Sequence, residues 1–378
     1  MSEETAQTYP PQGYPPYPPP GYPAYPGYPP QGAPPPPGYP PQAGYPGYPP
    51  PPNPAMMMQQ MMQMMMAASG GGQAVDAAAQ PFTYAAPEEK PDPKLEAELI
   101  RPASKGSLLA DQKPLPVQAV LDVLCLTPDG KNSLGGIPKG CTIAFAGPPG
   151  KGKTRSAIEA LVRVAKSGVK CLFVIAEEGF LDENDSGREP LGSRLVRIGM
   201  TVTGLSEADF TAQVLENILV LNAQYHKGGT WDEFVNRYRY IVERENVRFV
   251  VIDSLNTLDP GKTRTADNLS ALKTYNHEKG VTCLTIGQIR DTGMPVGGEA
   301  LMHTADAVFL LEEMSLGSKE QAEFWGGKYR DVIDVIRAVK CVTTPVFPHP
   351  IRVVRNDGVG TLAVHPAQPA EMKPYPPK

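Results

Sequence analysis

The sequence predicts an α/β protein whose central sheet is twisted and mostly parallel, ends in antiparallel strands and is preceded by a long disordered tail. Three observations lead to this class. The chain has 378 residues and 45 prolines, and the prolines are crowded into residues 1–54. From residue 117 onward, short apolar runs alternate with amphipathic stretches, as strands and crossover helices of a parallel sheet do. A glycine-rich loop at 147–154 follows one apolar run and precedes a helical pattern.

The composition divides the chain into four regions. Residues 1–54 are predicted to be a disordered Tyr-Pro repeat tail, 55–116 a Met-rich segment and flexible linker, 117–365 a single folded domain and 366–378 a disordered C-terminal tail. The repeat contains nine Tyr-Pro pairs and almost no aliphatic side chains, so it cannot bury a core. It either associates weakly and multivalently, with itself or with a protein partner that binds proline-rich ligands, or it is a solvated tail without a specific partner.

The Met-rich segment, residues 55–69, reads AMMMQQMMQMMMAAS and favours a short helix. We interpret it first as a low-complexity linker. A soft docking surface is an alternative, and a methionine-rich metal-binding tract is a weaker one, because no histidine or cysteine lies nearby.

Charge and cysteine usage restrict the class of protein further. The formal net charge is −5 and no region is strongly basic, so the composition does not by itself demand a nucleic-acid partner. Five cysteines are scattered without a C-x-x-C pair, which indicates a reducing, cytoplasmic setting. The polar, acidic N-terminus lacks the pattern of a signal peptide, and no apolar run approaches the length of a membrane span. We therefore expect a cytoplasmic protein that has no membrane partner.

The folded domain reads as strands separated by helices. Six apolar runs are predicted to be strands: 142–146, 171–175, 218–221, 249–252, 283–286 and 307–311. Helices fill the gaps, and the clearest amphipathic patterns cover 154–166, 231–245 and 266–278. After residue 331 the pattern changes to short strands at 332–340, 351–355 and 360–364, with Asn356-Asp357-Gly358 as a hairpin turn. This change predicts the antiparallel end of the sheet.

The glycine-rich loop has the composition of a phosphate-binding loop. It fits G-x-x-x-x-G-K-[ST], and the residues predicted to contact the nucleotide are Gly147, Pro148, Pro149, Gly150, Lys151, Gly152, Lys153, Thr154 and Arg155. Its glycines allow successive N–H groups to converge on phosphate oxygens, and the helix that follows adds its positive end. Lys153 would contact the β and γ phosphates, and the Thr154 hydroxyl would ligate Mg²⁺. The alternative is a chance glycine-rich turn between a strand and a helix.

Polar side chains follow three of the other predicted strands. Asp253 ends the run RFVVID and is predicted to be the second Mg²⁺ ligand. Glu177 and Glu178 follow CLFVIA, where either carboxylate could activate water; the alternative is an acidic solvated loop. Gln288 ends CLTIGQ and is predicted to sense the γ-phosphate; the alternative is a polar strand terminus. The catalytic residues predicted from the sequence are thus Lys153, Glu177, Glu178 and Gln288.

Several motifs occur in a recognisable order: LGGIPKGCTIAFAGPPGKGKT, CLFVIAEEGFLD, RFVVIDSLNTL, CLTIGQIRDTG, GGEALMHTADAVFLLEE and VIRAVK. Between residues 133 and 340 the chain resembles the RecA-like ATPase core, closest to its RadA and KaiC branch. The resemblance implies a three-layer RecA-like domain, ATP bound between the subunits of a ring or filament, and Mg²⁺. It also implies that Glu177 activates water, that Glu178 is a second carboxylate of the KaiC-like branch, that Asp253 is the Walker B acid and that Gln288 is the sensor.

The same resemblance identifies candidates for contacts outside the subunit. Arg290 falls in the position of a mobile DNA-binding loop, and Arg337 and Lys340 fall where related proteins send a basic finger into the neighbouring nucleotide site. The chain departs from the bacterial RadA pattern, because it has no four-cysteine zinc module, no K-N-R-F-G motif and no C-terminal protease-like domain. It also has one ATPase core, whereas clock-type KaiC has two.

The sequence therefore predicts an oligomeric, Mg²⁺-dependent ATPase that is coupled to DNA recombination or repair, with single-stranded DNA as a partner. The alternative is a nucleotide-gated scaffold or regulatory ATPase of the KaiC type, whose Tyr-Pro tail recruits other proteins. A motor of the replicative-helicase type would need a helicase partner domain, which the sequence does not contain.

Overall fold

The computed structural model describes residues 93–100, 102–104, 110–181, 187–223, 230–258, 264–289, 293, 295–296 and 302–377. The Tyr-Pro repeat, the Met-rich segment and Arg290 lie outside these residues. The chain divides into two units, Met1–Leu99 and Ile100–Lys378. In the first unit, the described residues form one short helix, Pro93–Glu98. Among the described residues, no helix has both the length and the apolar composition needed to cross a bilayer.

The second unit is organised around one mixed sheet. In the described part of the chain this sheet has nine strands, in the spatial order β9-β8-β7-β6-β1-β5-β4-β2-β3. Numbered along the chain, the strands are β1 Thr142–Gly147, β2 Cys171–Ile175, β3 Ile218–Asn222, β4 Phe249–Asp253, β5 Thr282–Gln288, β6 Ala307–Ser315, β7 Val332–Cys341, β8 Ile351–Arg355 and β9 Leu362–Val364. Six adjacent strands run parallel to one another: β6, β1, β5, β4, β2 and β3. The strands β7, β8 and β9 each run antiparallel to the preceding strand, beginning with β7 against β6. The predicted α/β class, with a mostly parallel sheet that ends in antiparallel strands, is confirmed.

Helices cover the sheet between its strands. Their bounds are α1 Lys153–Lys166, α2 Leu191–Thr203, α3 Glu207–Gln213, α4 Trp231–Arg244, α5 Leu255–Leu258, α6 Thr265–Lys279 and α7 Lys319–Phe324. The start of α4 is fixed by a capping box, in which the Thr230 side chain accepts from the backbone of Glu233 and the Glu233 side chain accepts from the backbone of Thr230. The sequence pattern had placed three of these helices to within one residue at each end.

Each face of the sheet has its own apolar core, because alternate residues of a strand point to opposite faces. In β1, Ile143 and Phe145 pack with α1, α2 and α3 on one face, whereas Ala144 and Ala146 face α4, α5 and α6 on the other. Covering on both faces explains why β1, β2 and β4 are buried along their whole length. The polar ends of these strands therefore emerge only at the edge of the sheet.

The expectation of a disordered C-terminal tail is wrong for residues 366–377. The buried Gln368 side chain accepts a hydrogen bond from the backbone of Arg352 at 2.6 Å and donates to the carbonyl of Met372 at 2.6 Å. The Tyr375 ring packs edge-on against Phe347, with 5.2 Å between ring centroids. The sequence of this segment looked like a solvated tail because these anchors are single residues separated by prolines.

Candidate nucleotide-binding site

The glycine-rich loop joins β1 to α1 at the carboxyl edge of the sheet. Gly147 at the end of β1 lies opposite Gln288 at the end of β5, and Asp253 at the end of β4 lies opposite Ile175 at the end of β2. The strand order therefore brings the predicted site residues to one edge. They line a cleft of about 300 Å³ together with residues of the loop, of α2 and of the C-terminal strands. The lining includes Gly150, Lys153, Thr154, Glu177, Glu178, Arg194, Asp253, Gln288 and Arg355.

Lys153 is buried in the loop that it is predicted to serve. Its ammonium group donates to the carbonyls of Gly147 at 2.8 Å and Pro148 at 2.6 Å. Burial lowers the pKa of Lys153, and the charges of Asp253 and Glu177 oppose this effect. A phosphate group would compete with the two carbonyls for the ammonium, and its negative charge would relieve the cost of burying the cation.

Thr154 and Asp253 form a hydrogen-bonded pair between α1 and β4. The Thr154 hydroxyl donates to Oδ2 of Asp253 at 2.7 Å. Burial raises the pKa of Asp253 to about 6; the charges of Glu177 and Glu178 add to this rise, and the hydrogen bond from Thr154 opposes it. A divalent cation would stabilise the ionised carboxylate against both burial and repulsion.

The donor set in the cleft fits Mg²⁺ shared with phosphate groups. A hydroxyl and a carboxylate oxygen are ligands that Mg²⁺ accepts, and this ion is usually held by one or two carboxylates with substrate phosphates and water. Among the described residues, no cluster of three or more His, Cys, Asp or Glu side chains could hold a metal by itself. The residues present therefore fit an ion that arrives with a nucleotide.

Glu177 is surrounded by hydrogen-bond donors. Within the described residues, its Oε1 atom accepts from the hydroxyl of Ser254, from that of Thr257 at 3.1 Å and from Nε2 of Gln288 at 3.2 Å. The two hydroxyls are also within hydrogen-bonding distance of each other, at 2.9 Å. Sequence reasoning missed both hydroxyl residues. Ser254 directly follows Asp253 and Thr257 lies three residues further along, and this spacing was the available signal.

Glu178 has a different environment from its neighbour. Both of its carboxylate oxygens accept from Arg194 on α2, at 3.3 and 2.5 Å, and Arg188 contributes a further contact at 3.1 Å. The hydrogen bond from Arg194 holds the pKa of Glu178 below its usual value. This carboxylate is thus tied to two guanidinium groups, whereas Glu177 faces the end of β5. Sequence reasoning did not single out Arg194, because nothing in its local pattern distinguishes it from other helix-surface arginines.

Gln288 is held by a buried asparagine. The backbone N–H of Gln288 donates to Oδ1 of Asn256 at 3.1 Å, and Nδ2 of Asn256 donates to the carbonyl of Val296 at 3.3 Å. Asn256 is only 3% exposed. Asn256 lies on α5, and its side chain links this helix to the end of β5 and to Val296, which follows β5 in the chain.

The C-terminal hairpin lies against the glycine-rich loop. Arg355 donates to the carbonyl of Gly150 at 3.2 Å, and Arg155 donates to the carbonyl of Val359 at 2.9 Å. Gly152 has φ +90°, and a Cβ atom at this position would lie 2.9 Å from the carbonyl oxygen of Gly360. Both the backbone conformation and the close approach of the hairpin therefore require glycine here.

Three other cationic candidates, Lys151, Arg337 and Lys340, form ion pairs or hydrogen bonds outside the cleft. Lys151 pairs with Glu313 on β6 at 2.5 Å and with Asp334 on β7 at 2.9 Å. Arg337 makes a two-pronged contact with Glu312, at 2.6 and 3.0 Å. Lys340 donates to the carbonyl of His303 at 2.7 Å. In the pairing of β7 with β6, Lys340 lies opposite Val308, close to the start of β6. Lys340 therefore lies toward the edge of the sheet that is opposite the cleft.

The fold and this cleft define an α/β domain of the P-loop class. The sequence profile of the family described as "ATPase: KaiC" matches residues 120–351. The chain belongs to the KaiC ATPase family. The predicted resemblance to a RecA-like core of the RadA and KaiC branch is thereby confirmed.

Individual relatives match over shorter stretches. The chain is 34% identical to the DNA repair and recombination protein RadB of Methanosphaera stadtmanae over 82 residues, which are 22% of this chain and 34% of the relative. It is 29% identical to the protein RecA of Allorhizobium ampelinum over 123 residues, 32% of each chain. The chain thus covers about a third of the length of these relatives. It is also similar to the crystal structure of a KaiC-like protein from Pyrococcus horikoshii, with a TM-score of 0.46, 19% identity and coverage of 66% of this chain and 100% of the other.

Proposed function

We propose that this protein binds ATP with Mg²⁺ and hydrolyses it in the cleft at the carboxyl edge of the sheet. One observation carries this proposal. Three groups of different chemistry meet there: the Lys153 ammonium, the Thr154–Asp253 pair, and the Glu177 carboxylate beside Gln288. Phosphoryl transfer needs a cation on the phosphates, ligands for the metal and a group that orients the attacking water.

The loop and α1 would hold the triphosphate. Residues at the start of α1 line the cleft, so their backbone N–H groups and the ammonium of Lys153 would contact phosphate oxygens. Thr154 and Asp253 would hold Mg²⁺ from the protein side. When bound, the ion would neutralise charge on the β and γ phosphates.

Glu177 is our candidate for the residue that orients and deprotonates water. Both oxygens of Glu178 are engaged by Arg194, and this favours a positioning role in which Glu178 holds the guanidinium at the cleft. The amide of Gln288 donates to Glu177, so it could transmit contact with the γ-phosphate to the carboxylate.

The test is steady-state phosphate release by the full chain and by Lys153→Ala and Glu177→Gln. We expect both variants to lose hydrolysis, and only Lys153→Ala to lose affinity for a fluorescent ATP analogue. Lys139→Ala and Glu371→Gln change exposed residues outside the cleft and serve as matched controls. Equal rates in all five proteins would exclude the assigned site.

We also propose that an oligomer of this protein couples hydrolysis to DNA recombination or repair. Support comes from the relative RadB, whose name refers to those processes, and this relative aligns over only about a third of its length. Arg290 is the candidate for a DNA contact, and Arg337 is the candidate for a contact with the neighbouring nucleotide, which would require release of its ion pair with Glu312. Lys340 is a weaker candidate because it lies toward the other edge.

Single-stranded DNA should then bind with an affinity that falls steeply with salt, and Arg290→Ala should reduce the salt slope. Lys113→Ala is a matched change of an exposed cation outside the proposed loop. No binding at low salt would remove the DNA proposal without affecting the ATPase proposal.

The second candidate is a nucleotide-gated scaffold in a reducing, cytoplasmic setting. It is favoured by the net charge of −5, which does not attract DNA, and by the nine Tyr-Pro pairs, which suit multivalent protein contacts. It predicts ATP-dependent oligomers whose size changes when residues 1–116 are removed. Measuring the ATPase rate with and without single-stranded DNA separates the candidates, because a scaffold would show no stimulation.

A further inference from the structure

Two hydroxyl side chains beyond the end of β4 contact the carboxylate of Glu177. Ser254 directly follows β4, and Thr257 lies on α5. The hydroxyl of Ser254 donates to Oε1 of Glu177, and the hydroxyl of Thr257 donates to the same atom at 3.1 Å. Glu177 itself follows β2, which pairs with β4. The contacts therefore join the ends of two neighbouring parallel strands.

The two hydroxyls belong to one tight turn. They lie 2.9 Å apart, and the backbone N–H of Thr257 donates to the carbonyl of Ser254 at 3.2 Å. Ser254 is only 1% exposed, and Thr257 is half-buried. A buried hydroxyl is costly to leave without a partner, so this turn holds both hydroxyls against Glu177.

The donors described around Glu177 reach the same oxygen. Nε2 of Gln288 also donates to Oε1, at 3.2 Å. Each oxygen of an ionised carboxylate offers about two lone-pair sites, so the two hydroxyls and the amide use Oε1 fully. Among the residues that the structure describes, no group donates to Oε2. Oε2 is therefore the oxygen left to accept a proton.

On the basis of the hydrolysis proposed for this cleft, we propose that Ser254 and Thr257 are positioning residues. They hold Oε1 of Glu177 so that Oε2 takes the proton of the attacking water. The terminal torsion of a glutamate side chain is broad, so the carboxylate would turn freely without these contacts. A base must lie within about 2.6–3.2 Å of the group whose proton it takes, and a fixed carboxylate keeps to that geometry.

The proton transfer balances without a proton from either hydroxyl. Oε2 takes one proton as the water oxygen bonds to the γ-phosphorus. The bond from that phosphorus to the oxygen bridging the β and γ phosphates breaks, and ADP leaves with the electron pair. The second proton of the water stays on the released phosphate, and Oε2 returns its proton to solvent. Ser254 and Thr257 donate to Oε1 throughout and act only on the orientation of the carboxylate.

The experiment compares hydroxyl variants of the full chain. Thr257→Val removes the hydroxyl and keeps the shape of the side chain, Thr257→Ser keeps the hydroxyl, and Ser254→Ala removes the other donor. Single-turnover hydrolysis gives the rate of the chemical step, and a fluorescent ATP analogue gives the affinity. We expect Thr257→Val and Ser254→Ala each to lower the rate about 10-fold, with affinity unchanged within about 2-fold. Thr257→Ser should recover most of the loss.

Two comparisons separate positioning from a structural effect. Thr274→Val removes an exposed helix hydroxyl that donates to the carbonyl of Ser270 at 3.1 Å, and it should keep the parent rate. In a Glu177→Gln background, Thr257→Val should cause no further loss, because the base on which Thr257 acts is already gone. Thermal unfolding identifies any variant that fails to fold. If Ser254→Ala does, the Thr257 variants decide.

A parent rate in folded Thr257→Val or Ser254→Ala, with a large loss in Glu177→Gln, would overturn the positioning role and leave the ATPase proposal intact. A loss of affinity as large as the loss of rate would also overturn it. So would an additive loss in the Glu177→Gln background, since the hydroxyl would then act independently of the carboxylate. A parent rate in Glu177→Gln would contradict both proposals, because the base itself would be wrong.

Discussion

The hydroxyl of Thr154 donates a hydrogen bond to Oδ2 of Asp253 at 2.7 Å, and this contact joins the first turn of α1 to the end of β4. The two residues are far apart in the sequence. In the sheet, β5 lies between β1, which leads into α1, and β4, which ends at Asp253. Because the carboxylate is buried beside two other acids, the contact stabilises a charge that the fold otherwise opposes. Ionisation of Asp253 therefore lowers the stability of the folded chain.

Asp253→Asn should stabilise the protein in the absence of nucleotide and abolish hydrolysis. Burial raises the pKa of Asp253 to about 6, so the folded chain binds this proton more readily than the unfolded chain does. The contribution of Asp253 to stability is thus present at low pH and is lost as pH rises through about 6. We expect the variant to gain about 1–3 kcal/mol in the free energy of unfolding at pH 8.

Urea denaturation between pH 4 and pH 8 tests this prediction, with the exposed Asp111→Asn as the matched control. The gain should shrink as the pH approaches 4, where the parent carboxyl is protonated in the folded state. A gain of the same size at all pH values would contradict it.

Glu177→Gln and Glu178→Gln should have different kinetic effects. Removing a positioned general base typically lowers kcat by about 10²–10⁴-fold, and we expect this for Glu177→Gln with little change in nucleotide affinity. Glu178→Gln weakens the contact with Arg194 and should lower kcat by only about 10-fold. Single-turnover hydrolysis, with binding measured separately, distinguishes the two. The reverse order of effects would reassign the base to Glu178.

Gly152→Ala should destabilise the protein and weaken ATP binding. The residue has φ +90°, and a Cβ atom would lie 2.9 Å from the Gly360 carbonyl. Gly168→Ala is the matched control, because Gly168 has φ +83° and a Cβ atom there would meet nothing within 4 Å. We expect a loss of about 1–2 kcal/mol for the control, from backbone conformation alone, and a loss larger by about 1 kcal/mol or more for Gly152→Ala. Equal losses would show that the hairpin can move away at no cost.

Tyr375→Ala should destabilise the domain, because the Tyr375 ring packs against Phe347. We expect a loss of about 1–2 kcal/mol in the free energy of unfolding for this half-buried ring. Tyr375→Phe keeps the ring and should stay within about 0.5 kcal/mol of the parent protein. Denaturant unfolding measures both. An unaffected Tyr375→Ala variant would mean that the contact between Tyr375 and Phe347 contributes nothing to stability.

Local sequence patterns predicted much of the fold and part of the candidate site. The apolar run at 249–252 predicted β4, because a strand covered on both faces needs apolar residues at consecutive positions. The loop motif predicted the β1–α1 junction, because the left-handed backbone at Gly150 and Gly152 favours glycine. In contrast, α2 and α3 were expected only as helices without stated bounds between two strands, and neither pattern nor motif indicated that Arg194 reaches Glu178 from α2.

The sequence by itself determined the class of protein, the order of strands and helices along the chain and the identity of the residues at the strand ends. Only the tertiary structure decided which strands are neighbours, that Ser254 and Thr257 face Glu177 and that Tyr375 is anchored. The physical reason is that sequence patterns describe only short segments of the chain. Residue periodicity and turn chemistry act over a few residues, whereas strand pairing and side-chain contacts depend on packing between segments far apart in the chain.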